Sequence, residues 1–300
     1  MYKMHMYRDG TLPVVQQCVH AARLDILRCS YWVMRIWNHS NLASPYWRLY
    51  WNTDSGAEVQ WGERRVPLTP DHLLLIAPNT PFTTRFHPDM RQHDPENMML
   101  GCPAAEWDDA QHPDERVVHQ LFTHFVAGTP YDTIAPQLFV LPIDSALRAL
   151  LEEIIVPLAS DPQTFDRRQS FRLRALLHFV LGEIPEALWP APQTNARIVA
   201  VMQCIDEHFD QPLCNDDFAA LAAMSAKAFV RLFKEKTGQT PLAYLQQRRM
   251  EQASILLHHT DDSIERIAER CGFCDRHHFS KLFQRKFTVG PAGYRKTRML

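Results

Sequence analysis

Residues 216–298 contain one pattern that is written twice. Residues 225–245 read SAKAFVRLFKEKTGQTPLAYL, and residues 275–295 read DRHHFSKLFQRKFTVGPAGYR. At an offset of 50 residues the two segments share a Phe, a Leu and a second Phe, followed by a Pro and a Tyr. Chance similarity rarely keeps one register over about twenty residues, so the chain carries an internal repeat of two related units.

Each copy predicts a short helix, a tight turn and a second helix that begins at a capping residue. In the first copy, residues 216–222 lead through the turn to Ser225, whose hydroxyl is expected to accept a hydrogen bond from a free amide of the next helix. In the second copy, residues 263–270 precede the turn 271–274, and Asp275 takes the capping place. The pattern indicates two helix-turn-helix units in tandem.

The second helix of each unit has an apolar face and a polar face. The polar faces carry Lys227, Val230, Arg231 and Lys234 in the first unit, and Arg276, His277, Ser280, Lys281 and Gln284 in the second. Arg and Lys donate to guanine, His and Gln offer donors and acceptors, and Val can meet a thymine methyl group. Either face alone is also what an ordinary solvated helix presents. Two such faces in one chain favour DNA binding.

A long helix is predicted between the two units. Gly238 stands where a left-handed C-cap ends the first unit, and Pro241 then begins a helix that runs to about residue 258. A helical connector fixes the relative rotation of the units, as a flexible linker would not.

The composition is that of a globular chain with room for two domains. It has 300 residues, of which 46% are apolar and 22% charged. No apolar run approaches the roughly 18 residues of a membrane span, and residues 1–8 lack the apolar core of a signal peptide. The seven cysteines are an odd number and are scattered, unlike a disulfide scaffold. We therefore expect a cytoplasmic protein.

Charge is distributed unevenly along the chain. Residues 195–300 hold 16 Lys and Arg against 12 Asp and Glu, a net charge of +4. Residues 1–194 hold the other 16 Lys and Arg against 22 Asp and Glu, a net charge of −6. The repeat half is thus the basic half. The excess is modest and makes nucleic-acid binding possible without requiring it.

The first half of the chain predicts strands and then two helices. Short aromatic and β-branched runs separated by turn formers fill residues 25–142, which indicates an antiparallel barrel or a sandwich. Helical periodicity follows in residues 144–157 and 164–181, and these helices either cover the open face of the sheet or form a dimer seam. Pro185, Pro190 and Pro192 then break the helical pattern. We expect three segments, residues 1–142, 143–194 and 195–300.

The C-terminal segment resembles the DNA-binding domain of AraC/XylS-type transcription regulators. The resemblance covers about a hundred residues and rests on Phe218, Ala219, Ser225, Arg231 to Lys234, Gly238, Pro241, Tyr244, Leu245, Arg248, Ala253, Leu256, Leu257, Ser263, Ile264, Ile267, Ala268, Gly272, Phe273, His278, Phe279, Phe283, Pro291, Tyr294 and Arg295. It implies a seven-helix domain that sets two recognition helices into adjacent major-groove segments. It also implies base contacts by Lys227, Val230 and Arg231, and by Arg276, His277, Ser280 and Lys281.

The chain departs from the family at the end of the second recognition helix. Thr288 stands where the family usually has Gly, and Gly290 stands where Ser is common. We therefore expect the C-cap of this helix to differ from that of the first unit.

The front half is similar to the cupin-like effector barrel of the same family. Strand alternation puts Arg48, Tyr50 and Asn52 on one face. That face is expected to line the pocket, because a sugar-like ligand needs polar partners. The candidate ligand-binding residues are Arg48, Tyr50, Asn52, Trp61, Phe122 and His124. The alternative is a barrel in which these are core and surface residues and no ligand binds.

Two other functions are disfavoured. A metal-dependent cupin enzyme needs a close His pair on one face of a strand, but His119 and His124 are five residues apart and fall on opposite faces; His87 and His93 belong to a loop rich in Pro and Asp. A zinc or redox site at Cys271 and Cys274 is also disfavoured, since Cys271 is expected to be a small apolar residue under the turn. We expect no enzyme activity, no metal and no cofactor.

These observations together predict a transcription regulator, an activator that responds to a small effector. Its expected partners are double-stranded DNA, the effector, RNA polymerase and a second copy of the chain. The alternative is a constitutive DNA-binding repressor whose barrel serves only dimerisation. Because the two polar faces differ in composition, the operator half-site is expected to be composite.

Overall fold

The computed structural model describes residues 23–86, 98–161, 165–190 and 195–296. An antiparallel sheet comes first, two helices follow it, and a wholly helical domain ends the chain, which gives the α+β class expected from the sequence. The N-terminal arm, the loop with His87 and His93, and Pro192 lie outside the described residues.

The described strands form one antiparallel sheet. They are β1 (Asp25–Leu42), β2 (Trp47–Asn52), β3 (Glu58–Trp61), β4 (Arg64–Pro67), β5 (His72–Ile76), β6 (Phe82–Arg85), β7 (Met98–Pro103), β8 (Val118–Val126) and β9 (Leu138–Pro142). Neighbours run in the order β4, β3, β6, β1, β8, β2, β5, β9, and β7 pairs with β1.

The sheet curls because its longest strand changes partners along its length. β1 pairs with β8 near its start, with β7 in its middle and with β6 at its end, and its register shifts in each pairing. Such shifts bend a strand and increase its twist. At the two ends of the strand order, Arg64 Nη1 on β4 donates to the carbonyl oxygen of Leu138 on β9 at 3.4 Å. The result is a curled half-barrel, which decides between the two β architectures that the strand pattern left open.

The two faces of the sheet bury different cores. On β2, Trp47, Leu49 and Trp51 join the core that the two following helices share, whereas Tyr50 belongs to the core inside the curl. Leu74 and Ile76 on β5 alternate in the same way and also point inside. All six residues of β2 are buried, because this strand lies between two packed layers.

Helices α1 (Ser145–Ser160) and α2 (Arg167–Gly182) cover the outer face of the sheet. We expected the first helical pattern to end at Pro157, but α1 continues to Ser160. Proline has no amide hydrogen, so the carbonyl of Glu153, four residues earlier, loses its helical donor. Gln169 Nε2 of α2 donates to that carbonyl at 3.1 Å, which lets the helix pass through the proline.

The second helix also begins later than its periodicity suggested. The expected start at residue 164 lies outside the described residues, and α2 begins after Asp166, whose side chain accepts a hydrogen bond from the Gln169 amide at 2.7 Å. Beyond α2, Trp189 packs against Trp47 and Tyr131, with ring centroids 6.0 and 5.3 Å apart. This part of the proline-rich connection is therefore held against the sheet.

Seven helices follow in the described part of the last segment. They are α3 (Ala196–His208), α4 (Asn215–Leu221), α5 (Ala226–Thr237), α6 (Pro241–His259), α7 (Ile264–Arg270), α8 (Arg276–Phe287) and α9 (Pro291–Arg295). They enclose two separate apolar cores, and α6 contributes Tyr244 and Leu245 to the first but Met250 and Leu257 to the second. One continuous helix thus belongs to both units.

Candidate nucleic-acid interface

The inner stripes of α5 and α8 hold the two helices in nearly the same way. Phe229 and Phe233 are buried in the first core with ring centroids 5.7 Å apart and an interplanar angle of 57°. Phe279 and Phe283 are buried in the second with 5.6 Å and 56°. The repeat seen in the sequence is therefore a repeat of side-chain packing, and it orients the opposite faces of the two helices alike.

Those opposite faces lie at the surface. Lys227, Arg231 and Lys234 on α5 are exposed, and Val230 beside them is half-buried. On α8 the exposed side chains are Arg276, His277, Lys281 and Gln284, with Ser280 half-buried. All nine candidate contacts are thus placed where a ligand as large as DNA can reach them. Their role as contacts stays a prediction.

The first turn of α8 is held by its capping residue. The side chain of Asp275 accepts hydrogen bonds from the amides of His277 at 3.0 Å and His278 at 2.9 Å. These two bonds hold the pKa of the Asp275 carboxyl below its usual range. The cap fixes the direction in which Arg276 and His277 leave the helix.

The first turn of α5 is formed without the expected side-chain bond. Ser225 occupies the N-cap position with extended backbone angles, φ −72° and ψ 147°, but its hydroxyl makes no capping hydrogen bond. The extended backbone of Ser225 therefore marks the start of α5 without help from its side chain. The carbonyl of Ser225 still accepts the first intrahelical bond, from the amide of Phe229 at 2.9 Å.

Helices α5 and α8, which carry the candidate DNA contacts, both end in a left-handed backbone conformation. Gly238 closes α5 with φ 80°, as its residue type suggests, and Thr288 closes α8 with φ 65°. We expected the second C-cap to differ because it lacks glycine, but both are left-handed. A β-branched residue adopts this conformation only under strain, since its Cβ crowds the backbone.

Arg276 is held by an acidic neighbour on the preceding helix. Its guanidinium forms an ion pair with Glu265 of α7. Both side chains are about half exposed, so the pair is weak in water. Any DNA contact by Arg276 has to replace this ion pair.

Burial disfavours a sensor role for one of the two cysteines in the turn of the second unit. Cys271 is buried in the second core, and burial raises the pKa of its thiol to about 12, whereas Cys274 is exposed. The thiolate is the reactive and metal-binding form, and burial disfavours it. Among the described residues, no group of three or more His, Cys, Asp or Glu side chains could hold a metal ion.

Three of the candidate effector residues lie together at one end of the curled sheet. Arg48 is 2% exposed and donates to the hydroxyls of Tyr50, Ser44 and Tyr46 at 3.1, 2.7 and 3.1 Å. The ring of His124 lies 5.1 Å from that of Tyr46. Burial holds the pKa of His124 well below its usual range, and Arg48 acts in the same direction.

The other candidates are less closely grouped. The ring of Phe122 lies 5.5 Å from that of His124, within the inner core. Asn52, at the far end of β2, accepts a hydrogen bond from Gln120 at 3.0 Å, and Trp61 lies half-buried on β3. His119 bonds instead to Asp54 at 2.8 Å.

The C-terminal domain covers this end of the sheet, which the sequence did not predict. The hydroxyl of Tyr46 lies 3.0 Å from Nδ1 of His258 at the end of α6. The ring of His259 lies 5.1 Å from that of Tyr46 and 5.3 Å from that of His124. The only local signal was a pair of adjacent histidines directly after the apolar residues 255–257.

A cleft of about 730 Å³ lies beside this contact, between the sheet and the helical domain. Its charged lining comes from Arg23, Asp25 and Asp132 on the sheet side and from Asp206, Glu207, Arg248 and Glu251 on the other. Arg248 bonds to both Asp206 and Glu251 at 2.8 Å. Arg248 therefore neutralises part of the acidic charge on the helical side of the cleft.

Two helix-turn-helix units on one shared helix define a tandem helix-turn-helix DNA-binding domain. Residues 218–297 match the family model described as "Helix-turn-helix domain". Over 108 residues the chain is 39% identical to the HTH-type transcriptional activator RhaS of Klebsiella pneumoniae (strain 342). This match covers 36% of this chain and 39% of that relative. The similarity lies in this domain, the same segment that resembles the DNA-binding domain of AraC/XylS-type regulators in sequence.

Two solved structures are also similar to the chain. The DNA-binding domain of the transcriptional factor AdpA, solved with a target DNA, is 34% identical over 33% of this chain and 89% of its own, with a TM-score of 0.32. ToxT from Vibrio cholerae is 10% identical over 91% of this chain and 99% of its own, with a TM-score of 0.48. The chain spans about 39% of the length of the curated relative reported above, so the function of the whole protein remains to be proposed.

Proposed function

We propose that the chain is a sequence-specific DNA-binding transcription regulator that activates transcription in response to a small effector. One observation carries this proposal. Two helices with matching Phe stripes expose basic and polar faces in a domain of the AraC/XylS type. Bases are read by Lys227, Val230 and Arg231, and by Arg276, His277, Ser280 and Lys281, while Lys234 and Gln284 extend the same faces.

Selection from a random pool of double-stranded DNA tests the proposal. The purified full-length chain is expected to enrich one composite half-site in which two different short elements lie about one helical turn apart. Enrichment of no sequence at moderate salt, where non-specific binding is weak, would exclude sequence-specific recognition.

The effector part of the proposal rests on the polar end of the curled sheet. Arg48, Tyr50 and His124 offer donors and aromatic surface of the kind that a sugar-like ligand needs. This end is covered by His258 and His259 of the DNA-binding domain. An effector that binds there has to change how the two domains contact each other, and such a differential contact is what regulation requires.

A constitutive repressor is the second candidate, and one observation favours it. Apolar residues such as Trp37, Phe82 and Phe86 fill the interior of the curl. Thermal-shift measurements with a panel of sugars separate the candidates, because an effector at 100 times its Kd stabilises by about 2.7 kcal/mol. No shift with any compound, together with DNA binding that never changes, favours the constitutive protein.

We further propose the division into residues 1–142 for the effector domain, 143–194 for the dimerisation helices and linker, and 195–300 for the DNA-binding domain. Dimerisation is supported by large apolar side chains at the surface of α1 and α2. Phe171 is 68% exposed, Phe179 45% and Val156 63%. Sedimentation of a Phe171→Glu variant checks this, and a dimer of unchanged strength contradicts it.

The remaining partners follow from the family. The relative is named a transcriptional activator, which supports RNA polymerase as a partner of this chain. We place the chain in the cytoplasm with its DNA and assign it no enzyme activity and no cofactor. In the described ranges, none of the helices combines the length and the hydropathy of a membrane span.

A further inference from the structure

One side chain of the shared helix α6 contacts both helix-turn-helix units. Arg249 Nε donates to the carbonyl oxygen of Phe209 at 2.7 Å, and its Nη2 donates to that of Gln211 at 2.7 Å. Both carbonyls belong to the loop that follows α3, which packs on the first core. The same guanidinium lies 5.6 Å from the ring centroid of Phe273, in the turn of the second unit.

The turn of the second unit approaches that loop closely because of a glycine. Gly272 has φ +74°, and a Cβ placed on it would lie 2.6 Å from the carbonyl oxygen of Asp210. The same Cβ would lie 2.9 Å from Arg249 Nη2. Any other residue would push the turn away from the loop, so Gly272 and Arg249 form one joint between the units.

The joint continues to the second reading helix. The ring of Phe273 packs against that of Phe279, with centroids 5.4 Å apart. Phe279 belongs to the inner stripe of α8 and is buried. Contacts therefore run without interruption from the end of α3, through Arg249 and Phe273, to the helix that carries Arg276 and Lys281.

The chemistry of arginine suits this position. Its planar fork donates in fixed directions to two carbonyls and stacks on an aromatic ring at the same time, whereas lysine offers a single point of charge. The distance between the two units therefore depends on the geometry of one side chain as well as on α6.

We propose that Arg249 is a positioning residue that sets the rise and rotation of α8 relative to α5, and with them the base-pair spacing that the protein accepts between its two DNA elements. The inference rests on the proposed function, because it assigns a spacing to two readers of DNA. One inserted base pair moves the second element by about 3.4 Å and rotates it by about 34°. A protein with a rigid joint is expected to bind the altered spacing more weakly. A protein with a loosened joint is expected to bind both spacings.

The test compares the full-length protein on its selected site and on the same site with one base pair inserted or removed between the elements. The wild type is expected to prefer the selected spacing by at least about tenfold, and Arg249→Met to reduce that preference to within about threefold. Methionine keeps the apolar stem and removes the donors. Gly272→Ala opens the same joint from the other side and is expected to act alike. Arg197→Met, at an exposed position in the first turn of α3, is the matched control.

Hydrogen exchange supplies a measurement that needs no DNA. In Arg249→Met, the amides of residues 209–213 and 271–275 are expected to exchange faster together, while the centres of α5 and α8 stay protected. An unchanged spacing preference, including one that accompanies a uniform loss of affinity, overturns the positioning role. If the wild type selects no DNA, the proposed function fails, and unchanged exchange in both segments then overturns the joint itself.

Discussion

Tyr46, in the turn before β2, and His258, near the end of α6, contact each other across the boundary between the sheet and the DNA-binding domain, with the phenol oxygen 3.0 Å from Nδ1. His258 also stacks on Tyr294 of α9, with ring centroids 4.4 Å apart and nearly parallel planes. The contact thus extends to the second helix-turn-helix unit. It places the polar end of the curled sheet directly against the domain that carries α5 and α8.

A double-mutant cycle measures this contact. Tyr46→Phe and His258→Phe are expected to show a coupling free energy of about 0.5–1.5 kcal/mol in urea unfolding, because each removes one partner of the same hydrogen bond. Tyr31→Phe combined with His258→Phe is the control, since the Tyr31 hydroxyl contacts Thr53 inside the sheet domain. Strict additivity of the Tyr46 and His258 changes would show that the two domains are not joined there.

Acid is expected to weaken the fold through His124. Burial, followed by Arg48, His259, Arg28 and His258, holds the pKa of His124 well below the ordinary value of 6.5. The unfolded chain therefore binds a proton at His124 before the folded chain does. The stability from neutral His124 is fully present above about pH 6.5 and falls as the pH drops, by at most about 1.4 kcal/mol per pH unit.

Urea unfolding at several pH values between 7.5 and 5.0 checks this dependence. His124→Phe is expected to flatten the loss, and His178→Gln, on the exposed surface of α2, to keep it. A slope that is the same in His124→Phe and in the wild type would assign the acid sensitivity to other groups.

Thr288→Gly is expected to stabilise the protein by about 1 kcal/mol, because glycine adopts the left-handed conformation at the end of α8 without crowding. The reciprocal change, Gly238→Thr at the equivalent position of α5, is expected to destabilise by a similar amount. Thermal unfolding of both variants measures the pair. Loss of stability in Thr288→Gly would mean that the threonine side chain contributes more than its backbone strain costs.

Much of the DNA-binding domain could be predicted because its determinants are local. The Phe stripes repeat with helical periodicity and an offset of 50 residues, so packing and outward faces follow from spacing alone. The sequence showed that Thr288 stands where glycine is usual at the end of this helix. It did not show that Thr288 adopts the left-handed conformation. Residue type alone favoured a different cap, but Thr288 has φ 65° and is left-handed like Gly238.

The contact between the domains could not be predicted, because it joins residues more than two hundred positions apart. His258 and His259 follow an apolar run, and nothing local distinguishes them from solvated ends of a helix. The same holds for the passage of α1 through Pro157. The donor that replaces the missing amide comes from another helix, and a pattern within α1 has no information about it.

Gln169 and Pro157 form a pair whose roles can be separated by mutation. Gln169→Leu removes the donor to the Glu153 carbonyl and is expected to cost about 1–3 kcal/mol, since that carbonyl then lies without a partner. Pro157→Ala supplies a backbone amide that can bond to the same carbonyl, so the double variant is expected to recover most of the loss. Urea unfolding of the three variants tests this. If Gln169→Leu lowers the free energy of unfolding equally with and without Pro157→Ala, the loss comes from contacts of Gln169 other than its bond to the Glu153 carbonyl.

Arg276→Ala is expected to cost about 1–3 kcal/mol at one base pair of the selected DNA site and to relax the preference for that base pair. Arg276 stands in the first turn of α8 beside the Asp275 cap, where side chains of a recognition helix reach base edges. Titration of the variant against the selected site and its single-base substitutions gives the measurement. Lys236→Ala, in the last turn of α5 and outside the reading face, is the control and is expected to leave every preference intact. A loss of equal size on all the substituted sites would instead make Arg276 a phosphate contact, and the second reading face would then have to specify its bases through His277, Ser280 and Lys281.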